Sequence, residues 1–429
     1  MSMGLLRQYL NFPLVYKILI ALVLGAITGF ILGYLGFSHY LETIKPLGDL
    51  FINMLRMLII PIILSTLIVG VGSISPAKLG RVGIKVFICY VLTSAAAVFI
   101  GLILANVFDL GSGLQLGTNS IGITNIKMPF MKDTLMNIVP QNLFESFASE
   151  NILSVMFFAL VLGIALSYLI HGDDKRIKES TSTLYRSFDG LAEALYLIVK
   201  GVMQYAPIGV FVLIAYVTAD LGLDAIGSVV NIAVAEYLGI LLQIIIVYGI
   251  LLRIFGISLI EFLKKIKEPM ITAFVTRSSS GTLPVSFRAA EDMGIEKSIY
   301  SFSLPLGSTI NMDGTAIYMG LSVIFIANAI GIPLSVGQQL MVVLIAVLAS
   351  IGAAGIPGSG TIMLIMVLES IGISLTPGNP AALAYALIIG IDAILDMGRS
   401  LINVTGDLVV SLVVGKNENS VDEDKWLLR

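Results

Sequence analysis

The chain has 429 residues, of which 57% are hydrophobic and 12% are charged, with a formal net charge of −3. A soluble domain carries about 25% charged residues, so this composition excludes an ordinary soluble protein and indicates a membrane protein. The charge balance offers no basic surface for nucleic acid. Cys89 is the single cysteine, which excludes an internal disulfide, and His39 and His171 are the only histidines. Most zinc sites and most histidine-dependent catalysis are therefore excluded.

Eight apolar segments are long enough to cross a bilayer, and they put both termini on one side. They are 14–36, 46–71, 83–108, 134–170, 188–217, 228–255, 296–330 and 381–414. Two further apolar stretches, 259–293 and 335–373, are interrupted near their middles by RSSSGTLP and AAGIPGSG. Because each half is too short to cross, we predict two re-entrant helical hairpins.

The basic residues give the orientation. Most of the 25 lysines and arginines fall on the side shared with the N-terminus. The positive-inside rule makes that side cytoplasmic, so we predict a multi-pass plasma-membrane protein with both termini inside. The first hairpin then enters from the inside and the second from the outside. Two broken hairpins of opposite orientation suggest an inverted repeat, which points to a transporter.

The polar break before residue 316 and the first hairpin tip supply further candidates. The run Asn311-Met312-Asp313-Gly314-Thr315 interrupts an apolar helix, and it is either a simple kink or an unwound turn whose oxygens suit a hard cation. Ser278, Ser279 and Ser280 lie where one half-helix ends and another begins. They form either a polar turn or a helix N-terminus that attracts a carboxylate.

The last helix carries a polar stripe at intervals of three or four residues. Its members are Asp392, Asp396, Arg399, Asn403 and Asp407. Charged groups at membrane depth are costly, so the stripe is either a structural ion-pair network or a binding site. Its acids outnumber its base, and Arg277 or bound cations could supply the missing charge. An amino group on Asp396 and a carboxylate on Arg399 would together select an acidic amino acid.

Four motifs carry a resemblance to a known family. They are RSSSGT at 277–282, NMDGT at 311–315, AGIPG at 354–358 and DMGRSLINVTGD at 396–407. Together they resemble the dicarboxylate/amino acid:cation symporter family, which includes the glutamate transporters, and they are most similar to the archaeal sodium-coupled aspartate transporters. The resemblance spans the chain and is strongest over 259–408.

The resemblance implies an all-α fold of eight transmembrane helices and two hairpins, assembled in the membrane lipid as a homotrimer. It implies an elevator mechanism in which a transport domain moves against a scaffold. The implied divisions are scaffold helices 1–2 (1–75), transport helix 3 (76–108), an external loop (109–132), scaffold helices 4–5 (133–220), the rest of the transport domain (221–415) and a cytoplasmic tail (416–429).

The resemblance also implies the ligand contacts. Substrate would contact Arg277, Ser278, Ser279, Met312, Thr315, Gly355, Ile356, Gly360, Asp396, Arg399, Ser400 and Asn403. Sodium ions would bind at three sites formed by Tyr90, Thr93, Ser94, Gly307, Thr309, Asn311, Asp313, Ser350, Ile351, Ala353, Asn403 and Asp407. The archaeal pattern usually has Thr at positions 353 and 400, where this chain has Ala353 and Ser400, so the fit of the substrate could shift.

Members that also move a proton carry Glu where this chain has Met319. With no histidine or glutamate in the implied site, we expect no proton coupling. The expected function is sodium-coupled L-aspartate import without enzyme activity. The alternatives are a carrier for another dicarboxylate or amino acid, an intramembrane protease, and a channel.

Overall fold

The computed structural model describes residues 13–72, 81–114, 116, 139–149, 151–222, 224–351, 355, 358–376 and 378–427. The described part is helical, with one isolated β-bridge between Ile295 and Val421. The helices are α1 (Leu14–Tyr34), α2 (His39–Arg56), α3 (Ile59–Gly72), α4 (Arg81–Val107), α5 (Leu143–Ala148), α6 (Ile152–Ile170), α7 (Lys175–Leu221), α8 (Asp224–Leu242), a π-helical turn (Gln243–Tyr248), α9 (Gly249–Ile254), α10 (Leu259–Lys265), α11 (Lys267–Thr276), α12 (Ser279–Asp292), α13 (Lys297–Ile310), α14 (Asp313–Ala329), α15 (Val336–Ile351), α16 (Ser359–Ser370), α17 (Pro380–Asn417) and α18 (Glu423–Leu427).

The all-helical expectation is confirmed. Seven helical stretches of the described chain are long and apolar enough to cross a membrane. They are Tyr16–Tyr34, His39–Gly72, Val82–Val107, Lys175–Ala219, Gly227–Ile254, Lys297–Ala329 and Pro380–Asn417. The segment expected at 134–170 contains the shorter apolar helix Ser154–Ile170, and its first residues lie outside the described ranges. Most of the expected external loop also lies outside them.

The helices pack in two groups. In the first, α1, α2 and α3 pack on α7, and α6 packs on α3. In the second, α8, α11, α13 and α14 surround α17, while α4 packs on α14 and α15. Glycines allow the closest contacts: a Cβ at Gly29 would lie 2.2 Å from the carbonyl oxygen of Ala215, and one at Gly101 would lie 2.4 Å from that of Ile317.

Three helix breaks bring backbone polar groups into the second group. α13 ends at Ile310 and α14 begins at Asp313, so the break predicted in NMDGT is confirmed. Arg277 ends α11 in the left-handed region with a φ of 55°, and Ser278 caps α12 with its hydroxyl. α15 ends at Ile351, and Gly358, with a φ of 83°, precedes α16. A non-glycine residue at positive φ is uncommon, which makes Arg277 an unusual helix end.

The tail folds back onto the helices. After α17, the Gly294 carbonyl accepts from the Asp422 amide at 2.8 Å, and the Glu296 amide donates to the Ser420 carbonyl at 2.9 Å. Trp426 is buried and carries the Lys265 ammonium 5.2 Å from its ring centre. The sequence predicted only a charged cytoplasmic tail here. Two apolar side chains, Val421 and Trp426, pack this tail against the core.

Candidate functional site

The polar stripe of α17 is buried along its whole length. Asp392, Asp396, Arg399, Asn403 and Asp407 are each at most 6% exposed. Arg399 Nη2 donates to Asp392 Oδ1 at 2.6 Å and to Asp396 Oδ1 at 3.0 Å. One guanidinium nitrogen therefore donates to two carboxylates, so a single positive charge compensates two negative charges in a buried setting.

Two further side chains, Tyr318 and Arg277, lie against these residues. We call the five residues together the arginine centre, namely Arg277, Tyr318, Asp392, Asp396 and Arg399. The Tyr318 ring centre lies 4.2 Å from the Arg399 guanidinium carbon, within range of a cation–π contact. Arg277 Nη1 lies 3.9 Å from Asp396 Oδ2. Arg277 therefore brings a second positive charge close to the stripe.

The arginine centre keeps unused hydrogen-bonding capacity. Among the described residues, Arg399 Nε and Nη1, Asp396 Oδ2 and the Tyr318 hydroxyl are buried without a hydrogen-bond partner. Arg399 Nη1 faces the start of α16, because a Cβ at Gly360 would lie 2.9 Å from it. Buried polar groups are nearly always hydrogen-bonded, so these atoms mark a place where a ligand can bind. The donors suit a carboxylate and the acceptor suits an ammonium group.

The tips of the two broken stretches meet beside the arginine centre. Ser278 Oγ donates to the Gly355 carbonyl at 2.8 Å, and the Ser280 amide approaches the same oxygen at 3.3 Å. A Cβ at Gly355 would lie 2.6 Å from the Ser308 carbonyl, so the approach requires glycine. Ser279 is buried at 2% exposure. Ala353 and Ile356 lie outside the described residues.

A second polar cluster lies where α4, the π-helical turn, the α13–α14 break and α17 converge. We call it the oxygen centre, and its members are Tyr90, Thr93, Ser94, Gln243, Tyr248, Asn311, Asp313, Asn403 and Asp407. The Asp313 carboxylate, which is fully buried, is its focus. Oδ1 accepts from Ser94 Oγ at 2.7 Å and from Thr93 Oγ1 at 3.4 Å. Oδ2 accepts from the Tyr248 hydroxyl at 2.6 Å and from Gln243 Nε2 at 3.1 Å.

The other half of the oxygen centre joins the α13–α14 break to α17. Asn311 Nδ2 donates to Asp407 Oδ1 at 3.0 Å and approaches the Asn403 carbonyl at 3.4 Å. The Gly314 amide donates to Asn403 Oδ1 at 2.8 Å. Gly307 faces this point, since a Cβ there would lie 2.3 Å from Asp407 Oδ1 and 2.5 Å from the Tyr90 hydroxyl. Carboxylate, amide and carbonyl oxygens are the ligands that hard cations prefer.

The remaining expected cation ligands use their hydroxyls locally. Thr309 Oγ1 donates to the Leu306 carbonyl at 3.0 Å, and Ser350 Oγ donates to the Val347 carbonyl at 2.8 Å. Because these hydroxyls are engaged within their own helices, a cation contact by Thr309 or Ser350 would have to use the backbone carbonyl. No cluster of three acidic, histidine or cysteine side chains that could hold a metal occurs in the described part of the chain.

The other expected substrate contacts lie between the two centres. Met312 Sδ accepts from Asn403 Nδ2 at 3.1 Å, and Met312 is 1% exposed. Thr315 and Ser400 are each 5% exposed, on α14 and α17. The backbone of Gly314 lies directly against that of Arg399, where a Cβ would be 2.5 Å from the Arg399 Cα. Arg277, Ser278 and Thr309 are half-buried, and the other described residues of the expected set are buried.

Four residues of this region were not predicted from the sequence. Gln243 and Tyr248 reach Asp313 from the π-helical turn, Tyr318 stacks on Arg399, and Glu236 is fully buried on α8. The expectation that no glutamate lies in the site is wrong, because Glu236 interacts electrostatically with Arg399, Asp392 and Asp396. An ionisable residue inside an apolar segment was the available signal.

Comparisons with known proteins give the family of this chain. Residues 14–417 match the sodium:dicarboxylate symporter family. The chain is 33% identical over 421 residues to the proton/sodium-glutamate symport protein of Bacillus caldotenax, covering 96% of each. It is 34% identical to the proton/glutamate-aspartate symporter of Escherichia coli (strain K12), covering 97% of this chain and 96% of the relative. It is 31% identical to the C4-dicarboxylate transport protein of Bacillus subtilis (strain 168), covering 96% and 95%.

Proposed function

This chain belongs to the sodium:dicarboxylate symporter family, and from that premise we propose that it imports L-aspartate together with sodium ions. The family and the relatives named above are transport proteins, so the chain is a cation-coupled symporter and not an enzyme. Their names divide between glutamate, aspartate and C4-dicarboxylates. The substrate must therefore be argued from this chain's own residues.

The proposal rests on two neighbouring atoms of α17 that have unused hydrogen-bonding capacity. Asp396 Oδ2 and Arg399 Nη1 are both buried without a hydrogen-bond partner among the described residues, three positions apart. The carboxylate oxygen would accept from an α-amino group, and the guanidinium would hold a side-chain carboxylate. A C4-dicarboxylate such as succinate has no amino group and would leave Asp396 facing two carboxylates. The site therefore favours an acidic amino acid.

The α-carboxylate has a place at the tips of the broken stretches. Ser278 and Ser280 already hold the Gly355 carbonyl there, and the start of α12 presents backbone N–H groups of the kind that bind carboxylates. Opening this contact would admit the substrate. The outer tip around Gly355 then acts as the gate, and Gly358, in the left-handed conformation, serves as its hinge.

The oxygen centre supports sodium as the coupling ion. Asp313 and Asp407 are buried and accept only from neutral donors in the described part of the chain. Neutral donors orient a carboxylate but leave its charge in place, so cations are needed in a region of low dielectric. Asn403 links the two centres, because it follows Arg399 by one helical turn and accepts from the Gly314 amide. Filling the oxygen centre should therefore order the substrate site.

The two helix groups support an elevator mechanism. Both proposed sites lie within the group around α17 and the adjoining α12, α16 and π-helical turn, so these elements can carry the ligands across as a unit. The other group, α1, α2, α3, α6 and α7, would serve as the scaffold and as the trimer contact. We place the protein in the plasma membrane with both termini in the cytoplasm, as the basic residues indicate.

The test is a competition panel with purified protein in liposomes. Uptake of labelled L-aspartate is measured with and without an inward sodium gradient, against excess L-glutamate, D-aspartate, succinate and L-serine. We expect sodium-dependent uptake in which succinate and serine compete poorly. Competition by succinate as strong as that by L-aspartate would instead assign the chain to the C4-dicarboxylate carriers. Uptake that equilibrates without any ion gradient would contradict symport.

A further inference from the structure

Glu236 is the one acid of this region that neither proposed centre uses. Its side chain is fully buried on α8, and both carboxylate oxygens are without a hydrogen-bond partner among the described residues. By contrast, Asp392 and Asp396 each accept a hydrogen bond from Arg399 Nη2, at 2.6 and 3.0 Å. A buried carboxylate without a donor is stable mainly when it is neutral. The geometry thus singles out Glu236 among the three acids.

The helices packed against α8 supply few charges to Glu236. α17 contributes Asp392, Asp396 and Arg399, and α14 contributes Tyr318. α4 faces α8 with apolar groups, since Ile100 and Leu104 surround Gly239, and residues 91–107 of α4 include no ionisable side chain.

The other neighbours do not change this balance. α7 contacts α8, and Ile214 and Thr218 of α7, which do not ionise, line one cavity with Val229 and Val230 of α8. On α8 itself, the Tyr237 hydroxyl donates to the Ile394 carbonyl at 2.8 Å. Farther along, Tyr248 is committed to Asp313. Arg399 is therefore the only cation directly facing Glu236 in the described region, and Arg277 approaches only Asp396.

Arg399 connects Glu236 to the substrate. Arg399 interacts electrostatically with Asp392, Asp396 and Glu236, and its Nη1 and Nε have no hydrogen-bond partner among the described residues. When a substrate carboxylate binds Arg399, it adds a negative charge to the same guanidinium and weakens the attraction left for Glu236. The loaded site then disfavours an ionised Glu236 more strongly than the substrate-free site does. Proton binding and substrate binding become linked through one side chain.

We propose that Glu236 is a proton-binding site that takes up one proton together with the acidic substrate, so that a proton accompanies sodium during transport. The inference rests on the proposed function for its substrate, but the protonation of Glu236 itself can be tested without any substrate. The proton is acquired from water on the side where the site opens, and it is released on the other side when the substrate leaves Arg399.

The first experiment uses infrared difference spectroscopy of the full chain in lipid, without substrate, as pH is raised. We expect a protonated-carboxyl band that disappears on titration, is missing in Glu236→Gln and is retained in the control Glu261→Gln, whose side chain is exposed on α10. Identical spectra for wild type and Glu236→Gln would overturn the proposal. This readout stands even if aspartate proves not to be the substrate.

The second experiment measures the apparent Kd of L-aspartate across the neutral pH range at saturating sodium. One linked proton makes the Kd rise with pH, by at most about tenfold per pH unit. We expect this slope in wild type, in Glu261→Gln and in Glu236→Asp, and no slope in Glu236→Gln. A pH-sensitive dye inside liposomes should report proton entry with aspartate in the first three only. A Glu236→Gln protein that keeps the slope or the proton entry would overturn the proposal.

Three further results have distinct meanings. Loss of all aspartate binding in Glu236→Gln, with Glu236→Asp active and pH-dependent, supports a titrating carboxyl at this position. If wild type does not bind aspartate but shows the Glu236 infrared band, the proposed substrate is wrong and the proton site stands. If wild type transports aspartate with no pH dependence and no proton entry, the proposed function stands and the proton inference is overturned.

Discussion

The arginine centre and the oxygen centre are neighbours on α17, yet they satisfy their carboxylates with different partners. In the arginine centre, Asp392 and Asp396 are paired with a charge, the Arg399 guanidinium. In the oxygen centre, Asp313 accepts from two hydroxyl groups of α4, one phenol and one amide. The arginine centre compensates carboxylate charge with its own guanidinium, whereas the donors of the oxygen centre only orient the Asp313 carboxylate.

The difference has a consequence for binding. A carboxylate ligand entering the arginine centre must share or displace an existing partner of Arg399. A cation entering the oxygen centre displaces no described lysine or arginine and gains two carboxylates. Sodium should therefore bind first and make the region less negative for the substrate. By linkage, sodium must raise aspartate affinity by the same factor as aspartate raises sodium affinity.

The largest expected effect comes from removing the charge of the arginine centre. Arg399→Cys leaves Asp392 and Asp396 without their donor, and truncating one partner of a buried charge pair costs about 2–5 kcal/mol. Aspartate binding at high sodium, measured by calorimetry, should be lost, while a neutral amino acid should bind better than in wild type. Arg288→Cys is the matched control, because the Arg288 side chain is 68% exposed. Unchanged aspartate affinity in Arg399→Cys would sink the substrate assignment.

The oxygen centre can be weakened by removing a single neutral donor. Tyr248→Phe deletes the 2.6 Å hydrogen bond to Asp313, and a bond to a charged group is worth about 1.5–3 kcal/mol. Thermal unfolding should show a lower Tm and a smaller sodium-induced rise in Tm. Tyr168→Phe, at a 63% exposed position, should behave as wild type. If Tyr248→Phe keeps the full sodium-induced rise, the phenol does not support cation binding.

Asp407→Asn tests the coupling between the two centres. It removes one negative charge from the oxygen centre without touching Arg399, and sodium affinity should fall by roughly 10–100-fold, the size seen for changes around a bound metal. Aspartate titrated at low and high sodium, with choline holding ionic strength constant, should show weaker binding that high sodium restores. The exposed Asp173→Asn serves as control. Aspartate affinity independent of sodium in wild type would refute the coupling mechanism.

The smallest effect is steric. Gly360→Ala places a methyl group 2.9 Å from Arg399 Nη1, and because a guanidinium can shift, the free energy of aspartate binding should weaken by only about 1 kcal/mol. We expect weaker aspartate binding with an unchanged Tm. Gly190→Ala, where a Cβ meets open space, should change neither. An aspartate affinity equal to wild type would mean that Nη1 does not face the ligand.

The amino-acid sequence alone was enough to predict the helical membrane fold, the break at 311–312, the polar stripe and the family. Apolar length and the scarcity of charge predicted a helical membrane protein, because an apolar segment of about 20 residues crosses lipid as a helix that satisfies its own backbone N–H and C=O groups. The break at 311–312 followed from Asn, Asp and Gly in succession, which are poor helix formers. The stripe from Asp392 to Asp407 followed from its helical spacing, and the four motifs identified the family that the comparisons confirmed.

Tertiary structure decided which of those polar groups meet and which stay unpaired. Spacing along α17 could not show that Arg399 Nη2 serves two acids while Nη1 and Nε serve none. Nor could it show that Glu236, Gln243 and Tyr248, which lie more than 60 positions from their partners on α14 and α17, complete the two centres. Helical periodicity is a property of one segment, whereas hydrogen bonds and desolvation depend on the groups that neighbouring helices bring within about 3 Å. That proximity arises only when α4, α8 and α14 pack around α17.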